Sequence, residues 1–215
     1  MAEAAPFSAE GFRRRVAARL APGAVEGLES GDHRFSPDIA HLFRNIERRR
    51  AAVLVPVVAR EGEATVLLTR RTEHLAAHPG QVAFPGGKID ADETAEGAAL
   101  REAEEEIGLE ARLVEVIGRG PDYLTGSGFH IVPVIALVRP DFTLRLNAEE
   151  VGDAFEVPLA FLMNPANHRK GSRLWQGATR TFIEMPYRDR YIWGVTAGIL
   201  HVLYERLYAE EGAAA

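Results

Sequence analysis

A short strand-like run, Gln81–Phe84, stops at Pro85-Gly86-Gly87, and a helix-like stretch begins a few residues later, from Thr94 to Ile107. Glycine at 86 and 87 lets the backbone turn tightly between strand and helix, which other residues do only at a cost. Thr94 is a natural N-cap and Gly108 a natural residue just past the last turn. On that helix Glu102, Glu105 and Glu106 stand at i, i+3 and i+4, so their carboxylates share one face. Like charges at this spacing repel by a few tenths of a kcal/mol per pair. Acids in a last turn also oppose the helix dipole, at roughly 0.3–1 kcal/mol each. Arg101 reaches Glu105 at i+4, but Glu102 and Glu106 have no basic neighbour within a turn. Clustered hard oxygens of this kind call for a hard divalent cation, Mg²⁺ or Mn²⁺. For a bare ExxEE a solvated acidic face is the plainer reading, so the surrounding residues must decide.

Around this core the chain alternates strand and helix patterns. Ala51–Ala59 and Ala64–Thr69 are β-branched runs about Glu61-Gly62, which predicts a hairpin. Strand patterns return at Leu113–Ile117, Ile131–Val138, Thr143–Leu146 and Thr181–Met185, and Tyr191–Tyr208 reads as a long C-terminal amphipathic helix. Strands interleaved with two main helices predict an α/β fold, an α/β/α sandwich about a central mixed sheet. Residues 1–48 read as a mostly helical, polar extension broken at Gly23, Gly27, Gly31 and Pro37, residues 49–210 as the main domain, and 211–215 as a frayed tail.

Gly87, Glu93, Arg101, Glu102, Glu105, Glu106 and Gly108 occupy every fixed position of the pattern G-x5-E-x7-R-E-U-x-E-E-x-G-U. A chance match somewhere in the chain is on the order of one in a million at ordinary residue frequencies. The apolar positions are Ala103 and Leu109. This stretch resembles the box of the Nudix hydrolases, and the resemblance implies a Nudix-type sandwich and metal-dependent cleavage of a phosphoanhydride. It also implies roles. Glu102 and Glu106 are direct metal ligands, Glu105 is a third ligand or acts through a coordinated water, and the Gly86 carbonyl joins the metal shell. Glu93 and Arg101 form an ion pair that pins the loop to the helix, a structural part shared with Gly87 and Gly108. The family often has a further carboxylate on a later loop; Glu149 and Glu150 are the candidates.

Leu67–Thr72 (LLTRRT) and His78–Gly87 (HPGQVAFPGG) are similar to the signature of the coenzyme A pyrophosphatase branch, LLTxR[S/T]x3Rx3Gx3FPGG. Ala76 stands where that signature has arginine, a departure expected to weaken binding by about 1.5–3 kcal/mol, one charged hydrogen bond. The likeness continues through residues 125–138, 150–168 and 191–200. It implies cleavage of coenzyme A, or its thioesters, to 4′-phosphopantetheine and adenosine 3′,5′-bisphosphate. Arg71, on the signature arginine, Arg70 and Lys88 are the substrate-binding candidates. His78 reads as a hydrogen-bonded loop residue, Thr125 and Ser127 equally as turn or substrate contact, and Trp175 and Trp193 as packing residues. The rivals are a Nudix pyrophosphatase for ADP-ribose, dinucleotides or nucleoside triphosphates, and a non-catalytic Nudix-fold sensor, which typically lacks a box glutamate.

A net charge of −6 over 215 residues gives no general attraction to nucleic acid or anionic membrane, so a phosphorylated small molecule must be held locally. The absence of cysteine excludes a thiol nucleophile and a Cys-type zinc site. The first 20 residues carry arginines but no apolar run fit for secretion, which leaves a cytoplasmic location as the expectation beside an Arg-rich transit peptide. By analogy with the fold, a second copy of the chain, in a homodimer, is a candidate partner.

Overall fold

A computed structural model describes residues 4–21, 27–37, 40–41, 47–75, 78–175 and 177–209. Ala76, the side chain of Trp175 and the tail 211–215 lie outside the described residues. The first half holds α1 (Ala9–Arg19), β1 (Glu29–Gly31), α2 (Asp32–Phe35), β2 (Arg49–Val58), β3 (Thr65–Arg71), β4 (Val82–Ala83), β5 (Gly86–Lys88) and α3 (Ala95–Ile107). The second half adds β6 (Val114–Arg119), β7 (Asp122–Leu124), β8 (Phe129–Val138), β9 (Val151–Pro158) and α4 (Leu159–Leu162). It closes with β10 (Arg169–Trp175), β11 (Ala178–Tyr187), β12 (Arg190–Trp193) and α5 (Gly194–Leu207).

The central sheet is mixed. Among the described residues β1, β7, β8, β2, β3 and β4 lie side by side, with β5 beside β2, β6 beside β8 and β9 beside β3. β2 and β8 run parallel in register from Arg49↔Phe129 to Val58↔Val138. Their residues alternate between two cores, as the two-residue period of a strand requires. Ala52, Leu54, Val132, Val134 and Ala136 join the alanines of α3, whereas Ala51, Val55, Val57, Ile131, Ile135 and Leu137 join α1 and α5. Both faces of the central strands are therefore covered, which is why they read as unbroken apolar runs. The expected α/β/α sandwich is the observed one.

Several elements differ from the sequence reading. The described part of residues 1–48 is not helical throughout. β1 pairs in parallel with β7, and Phe12, Val16 and Leu20 of the α1 segment are buried in the main core. Thr143–Leu146 is not a strand. Its backbone is used otherwise: Arg145 N donates to Ile107 O and Asn147 N to Glu106 O, each at 2.9 Å, so it caps the C-terminus of α3. Thr181–Met185 lies within a second, three-stranded antiparallel sheet of β10, β11 and β12. Tyr191–Trp193 belongs to β12, so the C-terminal helix begins three residues later than its amphipathic pattern predicts. Among the described residues no helix is long and apolar enough to cross a membrane.

α2 and α5 are joined by an ion pair that titrates. Arg34 donates to both oxygens of Glu205, at 2.8 and 3.2 Å, and His201 Nε2 lies 3.5 Å from the same carboxylate. His201 first, then Arg34, hold the Glu205 carboxyl at about 2, below its ordinary 4.5 and against the opposing effect of burial. A depressed folded-state pKa gives stability that is present above the unfolded value and is lost as pH falls through about 2. Glu205→Gln should therefore lower the Tm at pH 6 by up to about 4 °C, the pair being partly exposed. The gap between variant and parent should close as pH drops from 4.5 towards 2. A gap that is constant across that range would show that the charge of Glu205 is irrelevant.

Candidate active site

The helix that carries the carboxylates is fixed at both ends. Thr94 Oγ1 accepts from Gly97 N at 3.1 Å, and Gly108 ends the helix in the left-handed region at φ 67°. Along its buried stripe run Ala95, Ala98, Ala99, Ala103 and Ile107, and Glu106 falls on that stripe. The three acids thus share a face but not an environment. Glu106 is 5% exposed, the Glu102 side chain 18% and the Glu105 side chain 59%.

The turn before the helix completes the arrangement. Gly86, at φ 155°, sits so close to β2 that a Cβ there would meet Val53 Cα at 2.7 Å and collide with the Ala52 carbonyl. Its N–H donates to Glu106 Oε2 at 3.2 Å. A Cβ at Gly87 would collide with the Glu102 carboxylate. Glu93 and Arg101 form a bidentate pair, both bonds 2.9 Å, and Arg101 Nη2 also donates to Lys88 O at 3.2 Å. The guanidinium therefore ties loop, strand and helix together. Its remaining nitrogen, Nη1, is shared between Glu102 Oε1 at 2.9 Å and Glu105 Oε2 at 3.1 Å, so Glu102, expected to lack a basic neighbour, has one in the adjacent residue.

Positive charge is short here. Burial raises the Glu106 carboxyl to about 7; the Gly86 N–H and Arg71 oppose the rise, and the neighbouring Glu102 and Glu150 add to it. Burial likewise raises Glu102, against the pull of Arg101. Glu93, bonded to Arg101, is lowered. Of the two later carboxylates, Glu150 bears on Glu102 and Glu106, whereas Glu149 is exposed. The turn that caps α3 brings Glu150 there, since Thr72 N donates to Glu150 O at 3.0 Å beside the Asn147 bond. Among the described residues no three acidic or imidazole side chains converge as a ready metal cage, and Glu102 and Glu105 are bonded to Arg101. The donor chemistry nevertheless fits a hard cation: a buried carboxylate that is costly to ionise, with two more nearby.

Glu106, Gly86 and Gly87 line a cavity of ≈ 320 Å³. Arg71 and Lys88 line it too, and Arg71 Nε is buried without a hydrogen-bond partner among the described residues. Arg70 does not line it. Strand alternation turns Thr69 and Arg71 into the cavity and leaves Arg70 beside Asp189 and Arg190, 3.9 Å from Glu73. Thr125, Ser127 and His78 are lining residues, His78 at φ 56°. Trp193, expected to pack, also lines the cavity. Arg173 and Arg180 were not singled out by any motif; both reach the cavity from β10 and β11, which no periodicity marked beyond Thr181–Met185. Asp32 was missed as well. Its buried carboxylate pairs with Arg180 and accepts from Tyr123 Oη at 3.0 Å and Gly126 N at 2.9 Å, holding the loop of Thr125 and Ser127.

Comparison with known proteins places the chain in a family. Residues 48–175 match the NUDIX domain. The chain is similar to "Uncharacterized Nudix hydrolase NudL" of Yersinia pestis (strain Pestoides F) and of Yersinia pseudotuberculosis serotype O:1b (strain IP 31758). Each is 39% identical over 169 residues, which cover 78% of this chain and 84% of the relative. Among solved structures it is similar to a Caenorhabditis elegans Ap4A hydrolase binary complex, with a TM-score of 0.45 and 20% identity, over 51% of this chain and 80% of that one. With the domain matched across more than half of its length, this chain belongs to the Nudix hydrolase family.

Proposed function

We propose that the chain hydrolyses the pyrophosphate bond of coenzyme A, free or acylated, giving 4′-phosphopantetheine and adenosine 3′,5′-bisphosphate. The observation that carries this reading is that the stretch from Leu67 to Gly87 delivers Arg71 into the same cavity as Glu106. Glu102 and Glu106 are the residues that would hold Mg²⁺ or Mn²⁺, with the Gly86 carbonyl beside them and Glu105 as a third or water-mediated ligand. A bound ion would neutralise pyrophosphate oxygens, polarise phosphorus and lower the pKa of the attacking water. Glu150, whose charge bears on Glu102 and Glu106, would complete the set or take a proton. Arg71, whose Nε lacks a hydrogen-bond partner among the described residues, supplies a donor for a phosphate oxygen, and Lys88 a second cation. Val53, Val82, Phe84, Phe129 and Ile131 give the cavity an apolar wall, which excludes bulk water and accepts the uncharged parts of the substrate.

A substrate panel with identified products tests the reading. The value of kcat/KM should be higher for coenzyme A than for dephospho-coenzyme A, ADP-ribose and NADH, because binding energy from remote groups contributes only where side chains meet them. A preference of about tenfold for ADP-ribose or NADH, worth ~1.4 kcal/mol, would overturn coenzyme A and leave the general Nudix activity.

A further inference from the structure

Arg173 and Arg180 are direct cross-strand partners on β10 and β11, and both line the cavity that holds Glu106. Like charges directly opposite one another on a sheet destabilise it, so the pair needs an anion. Asp32 answers for one of them: its carboxylate, 4% exposed, pairs with Arg180. Arg173 has no carboxylate partner among the described ion pairs. It is exposed, and its guanidinium carbon lies 4.6 Å from the centre of the Trp193 ring, which orients the group while leaving its N–H donors available. Ser127, on the loop held by Asp32, adds a hydroxyl to the same cavity, and its oxygen is 3.0 Å from Thr125 Oγ1. These groups come from the second sheet and the β7–β8 turn, whereas Arg71 and Lys88 come from β3 and β5. The cavity thus receives cations from two separate parts of the fold.

We propose that Arg173 and Arg180 form a second anion site, which takes a phosphate monoester of the substrate remote from the anhydride that is cleaved. Equating that monoester with the ribose 3′-phosphate of coenzyme A rests on the proposed function. Asp32 is then a positioning residue: it fixes Arg180 and the Ser127 loop and touches no substrate.

Arg173 is the residue to change, since it is exposed and its loss leaves no buried charge behind. Binding of adenosine 3′,5′-bisphosphate and of adenosine 5′-monophosphate should be measured by calorimetry on the parent protein and Arg173→Gln. The parent should prefer the bisphosphate by at least roughly tenfold, the strength of one charged hydrogen bond. Arg173→Gln should lose most of that preference while its affinity for the monophosphate stays within about twofold, a split that a merely structural loss would not produce. An unchanged preference in Arg173→Gln, or no preference in the parent, overturns the second site. The outcome separates from that of the proposed function. A parent that does not cleave coenzyme A but shows the Arg173-dependent preference keeps the site and loses the substrate. A parent that cleaves coenzyme A, with the same ratio to dephospho-coenzyme A in Arg173→Gln, keeps the substrate and loses the site.

Discussion

Glu106→Gln should lower kcat by at least ~10²-fold and leave the fold intact, the loss expected when a group supporting a charged transition state is removed. The side chain is buried, its Oε2 accepts from Gly86 N at 3.2 Å, and its carboxyl is raised to about 7. Glutamine keeps the shape and the carbonyl acceptor, so the Gly86 bond survives. It also removes a charge that is costly to bury, so the Tm of the variant should equal or exceed that of the parent. A drop in activity with a steady or higher Tm separates a functional carboxylate from a structural one. Activity above a tenth of the parent's would show that Glu106 is not a primary ligand.

Chelation by EDTA should abolish turnover, and Mg²⁺ or Mn²⁺ should restore it. Glu93, Glu102, Glu105, Glu106 and Glu150 gather near Arg101, Arg71 and Lys88, five carboxylates against three cations, so a divalent ion would relieve repulsion as well as activate water. An ion that binds the folded state and not the unfolded chain would, at a hundred times its Kd, stabilise by about 2.7 kcal/mol, several degrees in Tm. In Glu106→Gln that thermal shift should largely vanish. Full activity in metal-free buffer, or an equal Tm shift in parent and variant, would remove the metal from the mechanism.

The fold and the glutamate-bearing helix α3 were legible in the sequence because their signals are local. The turn at Gly86-Gly87, the Thr94 cap, the Gly108 stop and the eight-residue spacing of Glu93 and Arg101 all act within a few turns of one helix. What was not legible depends on partners far along the chain. Thr143–Leu146 alternates like a strand, but its donors are claimed by the open carbonyls at the end of α3. Glu149 and Glu150 are indistinguishable as letters, and only the turn at Asn147 decides that Glu150 is the one near Glu106. Arg70 and Arg71 could have been separated, since alternate residues of one strand face opposite ways. Arg173, Arg180 and Asp32 could not. They carry no motif, and their meeting follows from a second sheet and an N-terminal strand that only tertiary packing defines.

The parallel pairing of β2 with β8 also governs how the protein comes into being. As the chain leaves the ribosome, β2, the Gly86-Gly87 turn and α3 are made well before β8. Yet the floor beneath α3 is built from both strands: Ala52, Leu54 and Val58 of the early one and Val132, Val134, Ala136 and Val138 of the late one. Until β8 arrives, the helix has half a surface to lie on and β2 presents one long unpaired edge. Contacts so distant in sequence form slowly, because the intervening loop must close before they are made. The nascent chain therefore carries the whole glutamate motif before the floor beneath it is finished, and the cavity beside Glu106 is completed later still, when β10, β11 and α5 bring in Arg173, Arg180 and Thr196.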